Sequence, residues 1–157
     1  MPRAMVHEVT YPHPPSSVWR ALTEPSALAQ WLMTNDFQAQ VGHRFQFRAK
    51  PVPGWNGIVD CEVKEVVPLQ RLVYTWSGSN SKGKPYPPTT VTWTLEPAPG
   101  GHTKLRLEHS GLVGLRGWMM YMGMNNGWGQ KMLRGSLPAM LDRWARGEMA
   151  PVPSSHM

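Results

Sequence analysis

Apolar and polar residues alternate through the middle of the chain with the two-residue period of a β-strand. In residues 58–66, Val59, Cys61 and Val63 fall on one face and charged residues fall mostly on the other. The same alternation recurs in five further segments, at residues 5–11, 44–48, 72–76, 89–95 and 102–109. Because each strand has one polar face and short connections, the pattern predicts an antiparallel meander whose other face is apolar.

Three helices are predicted to accompany this sheet. A short one covers residues 15–22, and a second begins with Thr23 as its N-cap and Pro25 in its first turn. A longer helix is predicted at residues 118–146, where apolar side chains recur at helical spacing. Glycines weaken its first half and Pro138 should bend it. We therefore expect packing against the apolar face of the sheet, rather than helix propensity, to hold this helix.

Length and composition indicate one globular domain. The chain has 157 residues, of which 41% are hydrophobic and 17% are charged. We expect the domain to span residues 5–147 and residues 148–157 to form a disordered tail. A single cysteine suits a reducing compartment, and no apolar run is long enough to span a membrane. No signal-peptide core is present at the N-terminus either, so we expect a cytoplasmic protein.

The charge balance is basic, with a formal net charge of +6. Such a balance favours nucleic acid, anionic membranes or acidic proteins as partners. The Lys and Arg residues are scattered, and no run of four occurs. This scatter favours an ordinary solvated surface, and we expect no nucleic-acid partner.

Seven short motifs occur in the order found in one known superfamily. They lie at residues 14–25 (PPSSVWRALTEP), 28–32 (LAQWL), 54–57 (GWNG), 71–76 (RLVYTW), 89–95 (TTVTWTL), 109–111 (HSG) and 123–128 (GMNNGW). Together they resemble the START-like, or SRPBCC, superfamily, in the branch similar to the C-terminal domain of the activator of a heat-shock chaperone ATPase. The resemblance covers about residues 6–146. It implies an α+β helix-grip fold, in which an antiparallel β-meander curves around a long C-terminal helix and two short helices follow the first strand.

The resemblance also implies a deep cavity between the sheet and the long helix, where family members bind lipids, polyketides and other apolar molecules. His109 shares a strand face with Leu105 and Leu107 and should therefore point towards this space. With Tyr74 it could orient a carbonyl or hydroxyl of a ligand, and the alternative is a hydrogen-bonded core histidine. The candidate ligand-binding residues are Trp31, Phe47, Trp55, Cys61, Tyr74, Trp76, Trp93, His109, Trp118, Met119, Met122, Trp128 and Met132.

Two connections are predicted to move. Residues 77–88 are rich in Ser, Gly, Lys and Pro and have almost no apolar side chains, which predicts a mobile hairpin loop. Gly111, Gly114 and Gly117 give a pliant connection from the last strand to the long helix. We expect a ligand to enter there, near residues 111–124, because such hinges suit a gate.

Catalytic patterns are weak by comparison. The histidines lack metal-ligand spacing, the strand carboxylates alternate outwards, and no nucleotide or nucleophile motif is present. We therefore expect no cofactor, no metal and no catalytic residue.

Three functions remain as hypotheses. The first is a carrier or sequestering protein for an aromatic or acyl small molecule. The second is a chaperone-interacting module with a role in stress response, whose basic surface docks on an acidic partner. The third is a cyclase-like or hydrolytic enzyme that uses the same pocket. The ligand, the pathway and the choice between monomer and homodimer stay open.

Overall fold

The computed structural model of the chain describes residues 3–112 and 127–147. Strands and helices follow one another as β1 (Arg3–Tyr11), α1 (Pro15–Thr23), α2 (Pro25–Trp31), β2 (Thr34–Asn35), β3 (Arg44–Arg48), β4 (Ile58–Val67), β5 (Arg71–Gly78), β6 (Thr89–Ala98), β7 (His102–Leu112), a π-helix (Gly127–Ser136) and α3 (Leu137–Ala145). Within the described ranges, no helix is long and apolar enough to cross a membrane. The tail predicted at residues 148–157 lies outside the described residues.

The strands form one antiparallel sheet in the order β1-β7-β6-β5-β4-β3-β2. Every strand predicted from the alternation is present, and β1 joins the meander beside β7. Only β2 was not predicted, because two residues are too few to show a period. The predicted α+β class and antiparallel meander are confirmed.

One face of the sheet is buried, as the alternation requires. In β6, Val91, Trp93 and Leu95 are buried, whereas the threonines between them are only partly covered. Leu137 and Leu141 of α3 bury their side chains in the same core. Burying an aliphatic side chain of this size stabilises the fold by roughly 1.5–3 kcal/mol. The C-terminal helical segment is therefore held mainly through its apolar face.

The capping prediction for α2 is wrong. Glu24, not Thr23, occupies the N-cap position, and no side chain caps that helix. Thr23 still belongs to α1, where its hydroxyl donates to the carbonyl oxygen of Trp19 at 2.8 Å. Pro25 lies in the first turn of α2, as predicted. Local competition explains the error, because a threonine in a last helical turn can bond backwards to its own helix.

The long C-terminal helix is divided into two helices of different type. A π-helix covers Gly127–Ser136 and an α-helix covers Leu137–Ala145, whereas residues 118–126 of the predicted helix lie outside the described part of the chain. Pro138 lies in the first turn of the α-helix. The helix type changes next to this residue, and the bend predicted there stays a prediction.

Side-chain contacts from other elements hold the π-helix in place. The Tyr11 hydroxyl donates to the carbonyl oxygen of Leu133, and the Ser136 hydroxyl donates to that of Trp31 at 2.7 Å. A Cβ added to Gly129 would lie 2.9 Å from the His7 ring, so a larger residue there would require the His7 side chain to shift. Because π-helices are rare and glycine disfavours any helix, these contacts outweigh local propensity.

Candidate ligand-binding site

His109 lies at the centre of a buried chain of hydrogen bonds. Its side chain is inaccessible to solvent and points inwards from β7. Its Nε2 atom lies 2.7 Å from the Thr89 hydroxyl, which in turn donates to the carbonyl oxygen of Trp76 at 2.9 Å. On the other side of the ring, the Trp128 indole N–H donates to His109 Nδ1 at 3.3 Å. We call this chain of four residues the histidine relay.

The partners of His109 determine its tautomer. The single hydroxyl proton of Thr89 is donated to Trp76, so the Thr89 oxygen must accept a hydrogen bond from a protonated His109 Nε2. Trp128 donates to Nδ1, which must therefore be unprotonated. The ring is neutral, and burial lowers the pKa of His109 to about 4. Both ring nitrogens are used within the protein, and the relay joins β5, β6, β7 and the π-helix.

Tyr74 also lies in the core, and its hydroxyl group forms fewer of the hydrogen bonds that it could form. Its hydroxyl oxygen accepts a hydrogen bond from the Trp93 indole at 2.9 Å, and only 1% of the residue is exposed. None of the hydrogen bonds among the described residues uses the hydroxyl proton of Tyr74. Burial raises the pKa of Tyr74, so this proton stays on the oxygen at any physiological pH. Among the described residues, the phenol is therefore a buried donor without an acceptor.

Aromatic rings connect Tyr74 with the histidine relay. Trp93 contacts Trp128 edge-to-face with ring centroids 5.6 Å apart, and Trp76 lies 5.3 Å from Trp128. Phe47 lies 5.5 Å from Trp76 and 6.2 Å from Tyr74. These separations are typical of favourable aromatic pairs. The resulting aromatic layer extends from the sheet to the π-helix.

The structure brings most of the predicted site residues together. One core contains Trp31, Phe47, Cys61, Tyr74, Trp76, Trp93, His109 and Trp128. Trp55 and Met132 are partly buried and pack against this core. Trp118, Met119 and Met122 lie outside the described residues, as does most of the predicted entrance at residues 111–124.

Comparison with known proteins identifies the family. The model of the family described as "Activator of Hsp90 ATPase homolog 1-like protein", AHSA1, matches residues 12–142. The chain belongs to this family. No curated protein matches the chain.

Solved structures agree with the AHSA1 assignment. Protein MLL2253 from Mesorhizobium loti is 40% identical, with a TM-score of 0.76 over 90% of this chain and 98% of that one. DynU16, a protein in the dynemicin biosynthetic locus, is 25% identical, with a TM-score of 0.70 over 88% of this chain and 47% of that one. The Aha1 dimer from Colwellia psychrerythraea shares the fold at 20% identity, with a TM-score of 0.61 over 80% of this chain and 87% of that one. The predicted helix-grip fold and superfamily are confirmed.

Sequence reasoning missed Thr89, which anchors the relay in this AHSA1-family core. Thr89 has the same parity along β6 as Val91 and Trp93, so the alternation already placed it on the inward face. Its buried hydroxyl was overlooked because it stands at the first residue of the strand. Phe37 and Phe45 were also missed, and both contact the ring of Tyr74. Phe45 could have been found from its alternation with Phe47.

The chemistry of these residues favours binding over acid–base catalysis. Burial, followed by the charges of Asp60 and Asp36, raises the pKa of the Cys61 thiol, which disfavours a reactive thiolate. His109 has both nitrogens engaged and no carboxylate among its partners. No three His, Cys, Asp or Glu side chains group as a metal site would require in the part of the chain that the structure describes. The arrangement offers apolar aromatic surface and one spare hydroxyl donor.

Proposed function

We propose that this AHSA1-family protein is a cytoplasmic carrier for an apolar small molecule, aromatic or acyl, bound between the sheet and the C-terminal helical segment. The observation that supports the proposal is the hydroxyl of Tyr74 within an aromatic layer, whose proton has no acceptor among the described residues. A ligand carbonyl could accept this proton, and leaving a buried donor unpaired is costly. Binding sites for small molecules typically combine such a polar group with apolar walls.

We expect the ligand to enter from the side of Trp76 and Trp128. Each retains a few per cent of exposed surface, whereas Trp93 retains none. Both lie near the end of the sheet where β7 leaves for residues 113–126. A ligand acceptor that takes the Trp128 N–H would free His109 Nδ1 to accept from a ligand hydroxyl. His109 therefore contributes through Trp128, and the presence of DynU16 in a biosynthetic locus agrees with a small-molecule role.

A matched pair of ligands tests the role of Tyr74. Benzophenone and diphenylmethane differ only by a carbonyl oxygen, so the Tyr74 donor should distinguish them. We expect Tyr74→Phe to weaken benzophenone about 10-fold, as loss of one buried hydrogen bond predicts. Diphenylmethane should bind the variant within about twofold of its affinity for the parent protein. Titration calorimetry or quenching of Trp emission would measure both affinities.

The control variant is Tyr86→Phe, which removes a phenol hydroxyl from a surface hairpin instead. It should leave both affinities unchanged. Failure of both ligands to saturate the parent protein would contradict the carrier function. Equal weakening of the two ligands by Tyr74→Phe would instead exclude the hydroxyl as the recognition element.

A second candidate is a co-chaperone-like module, which the description of the matching family favours. In that case the purified protein should bind an Hsp90-type chaperone and raise its ATPase rate. Binding that weakens with added salt would identify the basic surface as the docking site. No change in the ATPase rate at saturating protein would exclude this activity.

A further inference from the structure

Cations and carboxylates are paired across the outer face of the sheet. Glu8 of β1 lies 3.5 Å from both Lys104 and Arg106 of β7. Glu62 of β4 pairs in the same way with Arg44 and Lys64. Such exposed pairs contribute little to stability, yet they neutralise this face locally. Little uncompensated positive charge is therefore left around Glu8 and Glu62.

Two neighbouring hairpins carry cations without carboxylates. We call residues 48–57 and 78–88, which connect β3 to β4 and β5 to β6, the hairpin lobe. Its four cationic residues, Arg48, Lys50, Lys82 and Lys84, are all exposed, and its sequence contains no Asp or Glu. Among the ion pairs of the described residues, none includes any of the four. The lobe thus collects four positive charges in a chain whose net charge is +6.

Hydrogen bonds join the two hairpins to each other. The Asn56 backbone N–H donates to the carbonyl oxygen of Ser79 at 3.0 Å. The Tyr86 hydroxyl donates to the carbonyl oxygen of Gly54. These bonds hold the two cation-bearing hairpins next to each other, although they are distant in the sequence. Less conformational entropy is therefore lost when the lobe meets a partner.

The second hairpin is also ordered internally. The Asn80 side-chain oxygen accepts from the backbone N–H groups of both Lys82 and Lys84, each at 2.9 Å. Ser77 Oγ donates to the carbonyl oxygen of Tyr86 at 2.9 Å. These bonds support the backbone beneath the two lysines, and the mobility predicted for this loop stays a prediction.

The lobe ends in a small apolar tip. Val52 is 52% exposed and lies between two exposed prolines. The Trp55 ring points back into the lobe, where its indole N–H donates to the carbonyl oxygen of Ile58 at 3.0 Å and its ring packs near Gly78. Val52 lies two residues from Lys50, and an exposed apolar side chain combined with cations can contact lipid chains and headgroups together.

The lobe lies at the end of the sheet that holds the histidine relay. Trp76 precedes it by two residues in β5, and Thr89 follows it directly in β6. A ligand passing Trp76 and Trp128 would cross the surface beside the lobe. This position connects the lobe with the entry side of the proposed carrier site.

We propose that the hairpin lobe docks on an anionic lipid surface, from which the carrier site takes up its apolar ligand. The purpose of docking rests on the proposed function, whereas the docking itself rests on charge and geometry. Three of the four cations are lysines, whose compact charges suit a diffuse anionic surface better than bidentate recognition of one carboxylate. Single-stranded nucleic acid requires exposed stacking rings, but Trp55 and Tyr86 are half-buried and hydrogen-bonded inwards.

Two quadruple variants with equal charge test the proposal. The lobe variant combines Arg48→Gln, Lys50→Gln, Lys82→Gln and Lys84→Gln. The control variant combines Arg44→Gln, Lys64→Gln, Arg71→Gln and Lys104→Gln, which lie on the outer face of the sheet. Binding of each protein is measured by co-sedimentation with vesicles of phosphatidylcholine, alone or mixed equally with phosphatidylglycerol. Circular dichroism and thermal melting would confirm that both variants fold.

We expect the parent protein to bind only the anionic vesicles and to release them at high salt. The lobe variant should lose affinity roughly 100-fold or more, whereas the control variant should lose about threefold or less. Equal losses in both variants would show that only net charge matters and would overturn the proposal. Absence of vesicle binding, or tight binding of polyglutamate in its place, would overturn it as well.

Binding of diphenylmethane to the same proteins separates the two proposals. The lobe variant should keep its affinity for this ligand in solution, because no lobe cation contributes to the aromatic layer. Vesicle binding without ligand binding would overturn the carrier function alone. Ligand binding without vesicle binding would overturn the docking surface alone.

Discussion

The buried polar groups at the two ends of the aromatic layer differ in how completely the protein satisfies them. His109 uses both ring nitrogens, one towards Thr89 and one towards Trp128. Tyr74 accepts from Trp93, but its proton has no acceptor among the described residues. Both groups face inwards from strands, and both were candidates for binding a ligand. We therefore expect Tyr74, rather than His109, to be the polar group that binds a ligand, because its hydrogen-bonding capacity is not fully used among the described residues.

The largest effect on stability is expected at Trp93, which lies between Tyr74 and the histidine relay. Trp93→Ala would remove a fully buried ring that contacts Trp31 and Trp128 and donates to Tyr74. The free energy of unfolding should fall by about 3–5 kcal/mol, as for other large-to-small changes in a packed core. Urea denaturation would measure it. A loss below about 1.5 kcal/mol would show that the layer is loosely packed at its centre.

Breaking the relay should have the next largest effect. His109→Leu leaves the Trp128 N–H without its acceptor and the Thr89 oxygen without its donor. Two buried groups without partners should lower the free energy of unfolding by about 2–3 kcal/mol. His102→Leu, at the start of β7 beside a turn, is the control and should change stability by less than about 0.5 kcal/mol. Equal losses of stability in the two variants would show that the relay does not stabilise the fold.

The titration of His109 gives a smaller effect with a defined sign. The pKa of His109 is lowered to about 4 in the folded protein, against about 6.5 when unfolded. The unfolded chain therefore binds more protons, so stability is complete above pH 6.5 and falls as the pH drops towards 4. Between about pH 7.5 and 5, the loss should reach about 2 kcal/mol.

Other groups titrate in this range, so the measurement compares the parent protein with His109→Leu at both pH values. Their contributions cancel in the difference as long as they are unchanged by the substitution. The variant should lack about 2 kcal/mol of the pH-dependent change. The same pH dependence in both proteins would mean that the ring is not held neutral.

Sequence periodicity predicted the elements whose pattern is local. Alternation placed Trp93, Tyr74 and His109 on the inward face of the sheet, because residue parity alone decides the face of a strand. Proline positions and apolar spacing predicted the two short helices, which also depend on neighbouring residues. The helix-grip topology came from the order of the family motifs.

Features that depend on distant pairs could not be predicted. The relay joins Thr89, His109 and Trp128, which are separated in pairs by about 20 residues and meet only through strand register and helix packing. The π-helix was predicted as part of an α-helix, since the apolar spacing in its short span does not reveal the i→i+5 hydrogen bonds. The charges of the hairpin lobe were also treated as scattered, because they come from two separate hairpins. The pairing of the strands, rather than any local motif, brings the two charged hairpins together.

The smallest expected effect on stability is that of Tyr74→Phe, and it tests the difference between Tyr74 and His109 most directly. Tyr74→Phe removes a hydroxyl whose proton has no acceptor among the described residues, so only the Trp93 N–H loses a partner. The free energy of unfolding should fall by no more than about 1 kcal/mol.

Tyr11→Phe is the matched control, because it removes a hydroxyl that donates to the Leu133 carbonyl and connects β1 to the π-helix. We expect the control to lose more stability, about 1–2 kcal/mol, and to keep its affinity for benzophenone. Urea denaturation and calorimetry on the two variants would show whether stability and binding separate. If Tyr74→Phe lost more stability than Tyr11→Phe, the Tyr74 hydroxyl would be a structural group like His109, and the distinction between the two ends would fail.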